Sequence, residues 1–203
     1  MSERENVNKR SALWRRLVFS PTLAGKNKSH TIAYIAIFVA INVAVNAIGS
    51  VPLGFIQISL TIFVSVLTGI IIGPIFGFVS CFLGDTLGFF MGASGYAWTP
   101  WVGLSTAMAA LIGGLVMNGI RWRFRGAWCV KLAFACTLTF LVWTWAINTT
   151  AGYFLWNSGG WSYWTFVGIR LGGQVWVSLL NYVFLFIAVP ALGKIKPLKV
   201  DIR

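Results

Sequence analysis

The chain has 203 residues, 58% of them hydrophobic and only 10% charged, with a mean hydropathy of +0.80. This balance excludes a soluble globular protein and leaves no length for a second, soluble domain beside a membrane bundle. The formal charge of +12 raises nucleic acid as a partner, so the placement of the basic residues has to decide.

Residues 1–30 mix Arg and Lys with Trp14, Leu17, Val18 and Phe19. The stretch is too short and too charged for a signal-peptide core, and reads as a basic juxtamembrane segment on the inner leaflet. Six apolar windows follow, each near the ~20 residues that a hydrocarbon core of roughly 30 Å demands of a helix. They cover 31–48, 56–73, 75–92, 101–120, 129–150 and 168–190, with a tight turn at Gly73-Pro74. A basic tail, 191–203, closes the chain. The expected fold is an all-α membrane protein, a six-transmembrane-helix bundle over 31–190.

Fifteen of the sixteen basic residues precede the first window, lie near the join of the fourth and fifth, or follow the sixth. The loops 49–55, 93–100 and 151–167 carry no charge. With six crossings this is the positive-inside pattern, so both termini are expected in the cytoplasm and the charge is assigned to topology rather than to nucleic acid.

Asp85 and Arg170 are the charges left within spans, and each costs several kcal/mol facing lipid. Both should therefore face the bundle interior, in the half nearer the uncharged loops. Two readings stand: a structural anchor, by mutual pairing or bonds to backbone, or contact with a bound solute. Arg170, Gln174, Ser178 and Asn181 share one helical face, which lipid cannot satisfy. Arg170 offers a charged fork for a carboxylate or phosphate, and Gln174 a donor and acceptor for a heterocycle. For Ser178 and Asn181 a structural network is preferred.

The loop 151–167 gathers Tyr153, Phe154, Trp156, Trp161, Tyr163, Trp164 and Phe166 around Ser158-Gly159-Gly160. It reads either as an interfacial aromatic belt or as a movable lid. The loop GASGYAWTP repeats the recipe with Tyr96 and Trp98. In the first span Ala36, Ala40 and Ala44 form a smooth ridge suited to close helix approach, within the bundle or against a separate subunit.

No phosphate-binding loop occurs, so the chain is not its own ATPase. The only histidine, His30, lies at the start of the first span, and no catalytic constellation, metal-ligand spacing or cofactor motif is present. An enzyme, a channel and an internally repeated transporter are all disfavoured.

These residues resemble the substrate-binding S components of energy-coupling factor (ECF) vitamin transporters, bacterial six-helix membrane proteins. The likeness covers roughly residues 31–190. It rests on the ridge Ala36, Ala40, Ala44, on the run GIIIGPIFGFVSCFLGDTLGFFMG, and on INTT (Ile147 to Thr150) with GIRLGGQ, which are most similar to the folate-type branch. The resemblance implies a multi-pass subunit of the bacterial plasma membrane that binds a vitamin from outside, docks through the alanine ridge on a transmembrane T subunit with two ATPases, and topples to deliver its cargo. It implies a site in the outer half formed by Arg170, Gln174, Asn148, Tyr96, Trp98, Trp161 and Trp164, with Asp85 a structural interior charge nearby. Folate or a related pterin is the expected substrate. Cobalamin, pantothenate and a thiamin-precursor pyrimidine stay open, as does a non-transport membrane scaffold subunit with a purely structural Arg170 stripe.

Overall fold

A computed structural model of the protein describes residues 20–23, 26–48, 51–53, 56–91, 98–120, 122, 126–157 and 159–195. Within these lie six helical rods and one short hairpin. Helix α1 is Lys28–Ile48; strands β1 (Val51–Leu53) and β2 (Ile56–Ile58) pair antiparallel, with Val51 opposite Ile58. Helix α2 is Thr61–Ile72 and α3 is Pro74–Met91, joined at Gly73, whose φ is 107°. Helix α4 begins at Pro100 and ends in a π-helical turn, Leu115–Gly119. Helix α5 runs as Ala127–Thr139, a π-helical stretch Phe140–Thr149, and Thr150–Trp156. Helix α6 is Tyr163–Gly193, capped at its start by the Ser162 side chain, which accepts the Thr165 amide.

Five of these rods are long and apolar enough to cross a membrane, and α2 is not. The expected window 56–73 is not one helix. Its first residues form β2, and the helix keeps 12 residues, about 18 Å at 1.5 Å per residue. A short apolar run reads alike as strand or helix, and pairing with Val51–Leu53 decides between them.

Such a short helix leaves its polar ends within the thickness of the bundle, where water cannot serve them. Side chains from other elements do so instead. At the N-terminus Asn181 of α6 accepts the Phe63 amide (3.0 Å) and donates to the Ser59 carbonyl (2.9 Å). At the C-terminus Asn118 of α4 donates to the Ile70 carbonyl (3.1 Å), and Ser20 Oγ donates to the Ile71 carbonyl. The lower half of the Arg170 stripe is thus structural at Asn181.

Almost all of α2 is buried. A Cβ on Gly69 would lie 1.8 Å from the Ala110 carbonyl oxygen, so α2 and α4 meet backbone to backbone. Around α2, Ile62, Val66 and Ile70 pack with Ala109, Met117, Leu132, Trp143 and Leu185. Below it, Leu23 packs with Ile71 and Ile72. Residues 20–23 are therefore seated in the bundle rather than on a lipid surface, and Lys26 follows by donating to the Tyr34 hydroxyl (2.9 Å). The remainder of the basic N-terminal segment up to residue 19, and the tail from 196, lie outside the described residues.

Helix α1 covers one side of the bundle, with Asn42 donating to Thr68 of α2 (3.1 Å). Its outward face carries Ala36, Ala40 and Ala44, all exposed, with Ile37 and Ile41 beside them. Lys131, counted with the basic residues at the join of the fourth and fifth spans, lies inside α5, only 1% exposed.

Candidate functional site

At the end of the bundle where α5 passes into α6, the loop expected over 151–167 is largely helical. Helix α5 continues to Trp156 and α6 resumes at Tyr163, which corrects the idea of a long aromatic lid. The short connection is closed by Asn157, which donates to the Trp161 carbonyl (2.8 Å) and accepts the Trp161 amide (3.2 Å). Most of the aromatic residues instead form a cluster between the two helix ends. Tyr153 meets Tyr163 edge to face at 5.3 Å and Phe166 at 5.7 Å.

Arg170 lies one turn along α6 from Phe166, its guanidinium 5.9 Å from that ring's centre. Its Nη2 donates to Asn148 Oδ1 at 3.2 Å, across the seam between α6 and α5. The π-helical stretch governs where Asn148 points. In it the Thr150 amide reaches the Trp145 carbonyl, and the Thr149 hydroxyl donates to the Thr144 carbonyl at 2.6 Å, both five residues back. The wider turn shifts every following side chain off its α-helical phase, and such turns are frequent at functional sites. The Thr150 hydroxyl then lies 3.1 Å from that of Tyr163, a second clasp between the same two helices.

Between α4 and α5 an open cavity of about 410 Å³ is lined by Trp101 of α4 and by Ala146, Ile147, Thr150, Ala151, Phe154 and Leu155 of α5. Thr150, which meets Tyr163 of α6, is its link to the seam, and neither Arg170 nor Asn148 lines it. The lining is apolar apart from Thr150, suited to the flat body of a small ligand.

The residues expected in the site divide. Arg170 and Asn148 come together, and Gln174, half-buried one turn on, forms no hydrogen bond among the described residues. Trp98 is half-buried with its ring 6.1 Å from that of Phe90. Trp161 and Trp164 are 48% and 71% exposed, and Tyr96 lies outside the described residues. Asp85 is buried in α3 against Gly103 of α4, and no ion pair or hydrogen bond of its side chain occurs among the described residues. Sequence reasoning missed Trp101 and Thr150 as lining residues. Thr150 closes the INTT motif and Trp101 follows the GASGYAWTP loop, but only the contact of α4 with the π-helical stretch makes them a wall.

The fold is similar to that in the crystal structure of FolT bound with folic acid. The TM-score is 0.61 at 16% identity, over 79% of this chain and 92% of that one. No curated protein matches the chain. The model of the family described as ECF-type riboflavin transporter, S component, matches residues 26–195. Members of that family are vitamin-binding membrane subunits of transporters and not enzymes. With most of its length matched, this chain belongs to the ECF-type riboflavin transporter S component family.

Proposed function

We propose that this protein captures a vitamin at the outer face of a bacterial plasma membrane and hands it inward as the S component of an ECF transporter, with folate or a related pterin as cargo. The observation that carries the reading is the Arg170–Asn148 pair on the α5–α6 seam, with an apolar cavity between α4 and α5 along the same stretch of α5. A permanently charged fork suits an anionic tail, and an apolar wall suits a flat heterocycle. Gln174, Trp98, Tyr96, and Trp161 and Trp164 around the start of α6 complete the site in this reading. The solved FolT, bound with folic acid, supports it as a similar fold. The family's own description favours a second reading, riboflavin, whose ring system the same cavity would hold.

Both termini lie in the cytoplasm in this proposal, as the charge pattern of the loops supports. The membrane domain, 31–190, then sits between the basic segments 1–30 and 191–203. The exposed ridge Ala36, Ala40, Ala44 docks on a T subunit that works with two ATPases, and the S component topples to deliver its cargo. A smooth, outward ridge is what close helix association in lipid requires. The alternative of a non-transport scaffold falls with the family membership.

Calorimetric titration of the purified, detergent-solubilised protein with folate, riboflavin, cobalamin, pantothenate and a thiamin-precursor pyrimidine tests the cargo. Nanomolar binding of folate alone is expected. Nanomolar riboflavin with no folate binding would transfer the assignment to riboflavin, and folded protein that binds none of the five would sink the proposal.

A further inference from the structure

Asp85 is 7% exposed, on the face of α3 that meets α4. Its Oδ2 lies 3.3 Å from where a Cβ on Gly103 would stand, and the Phe82 ring abuts the same point. Among the described residues no donor reaches this carboxylate. A carboxylate placed this way is costly, and intramembrane carboxylates persist where function needs them.

Two more unsatisfied groups stand at the same end of the α3–α4 pair. Thr99 precedes Gly103 by four residues, at the entry to α4, and its Oγ1 is buried with no partner. Trp98 Nε1 is likewise buried and unpartnered, while its ring rests near Phe90 at the end of α3. None of the three bonds another, so they do not form a closed structural network. The set offers an acceptor that lacks a donor, a donor that lacks an acceptor, and a hydroxyl able to serve as either. On α4, Trp101 stands two residues after Thr99 and lines the cavity beside α5.

We propose that Asp85, with the Trp98 indole N–H and the Thr99 hydroxyl, forms a second polar subsite of the vitamin site, which reads an N–H next to a C=O on the edge of the ligand's heterocycle. The proposal rests on the vitamin-binding reading above. The carboxylate accepts from the ring N–H, and the indole donates to the adjacent carbonyl. Arg170 and Asn148, on the α5–α6 seam, are left to address the far end of the molecule. Both the imide edge of riboflavin and the lactam edge of a pterin carry this pattern, so the subsite selects a class of ring, and the Arg170 end separates its members.

The test compares riboflavin and folate with their N3-methylated analogues, in which the ring N–H is masked, by titration of the full-length wild type, Asp85→Ala and Asp85→Asn. The wild type is expected to bind the parent vitamin at least about tenfold tighter than the analogue, as a site built around a hydrogen bond does. In Asp85→Ala that preference should collapse towards unity, while the thermal midpoint of the unliganded protein does not fall. Should the alanine variant not fold, Asp85→Asn gives the same readout as a reduced preference. Trp98→Phe, which keeps the ring and loses the N–H, should weaken parent and analogue alike. An undiminished preference in the folded Asp85 variant, or a preference missing from a wild type that binds the parent, overturns the subsite alone. A wild type that binds neither parent overturns the subsite together with these two vitamin assignments.

Discussion

Arg170 and Asn148 lie 22 residues apart in the chain and 3.2 Å apart in space, the guanidinium of α6 donating to the amide oxygen of α5. The amide holds the guanidinium on the seam between the two helices. Arg170→Ala is expected to weaken vitamin binding by at least about a hundredfold, the scale of a lost charge-assisted pair. Arg170→Lys should recover only part of this, because an ammonium lacks the planar fork. Titration calorimetry reads both, and unchanged affinity in Arg170→Ala would remove the residue from the site.

Asn181 carries a structural load instead. Its side chain bonds the Phe63 amide and the Ser59 carbonyl, replacing the cap that Leu60 does not provide. Asn181→Leu should destabilise the protein by about 1–3 kcal/mol, the cost of leaving buried backbone groups unpaired. The thermal midpoint in detergent should drop while affinity at saturation of the folded fraction stays near that of the wild type. A large affinity loss without destabilisation would place Asn181 in the ligand site.

Gly69→Ala should be among the most damaging single changes, at least about 3 kcal/mol, since the new Cβ meets the Ala110 carbonyl oxygen at 1.8 Å. Adding Ala110→Gly should not rescue it, because the clash is with backbone. Recovery of folded protein in the double variant would show that the two helices part more easily than their packing implies.

Ala40→Trp is expected to leave vitamin binding by the isolated protein intact and to abolish uptake by the assembled transporter. Ala40 lies on the exposed face of α1, away from the Arg170 seam, so the indole enters no internal contact. Uptake into proteoliposomes, set beside binding in detergent, separates the two steps. Uptake at the wild-type rate would assign the docking surface to another face.

Much of the bundle could be read from hydropathy, because lipid imposes one requirement on every crossing: a long apolar helix whose backbone satisfies itself. The reading failed where that rule lapses. Helix α2 is enclosed by the other helices and need not span, and β2 owes its form to Val51–Leu53 rather than to its own composition. Aromatic residues 151–156 looked like loop because an interfacial belt and a helix end use the same residue types. Arg170 stood out as a charge in an apolar run, and Asn148 through the motif around it. Their contact depends on the π-helical stretch, whose extra width no side-chain pattern announces. Asp85 was legible as an interior charge, but its lack of a partner among the described residues could be seen only once the neighbouring helix was in place.

The dependence of α2 on distant side chains sets an order of biogenesis. When the second helix leaves the ribosome, Asn118 and Asn181, which close its two ends, have yet to be synthesised. A segment of about 18 Å with open ends is a poor crossing by itself, so α2 settles only after the last helix has inserted. Nascent chains arrested before α6 should therefore leave Thr61–Ile72 accessible to water-borne thiol reagents at engineered cysteines, and chains arrested after it should not.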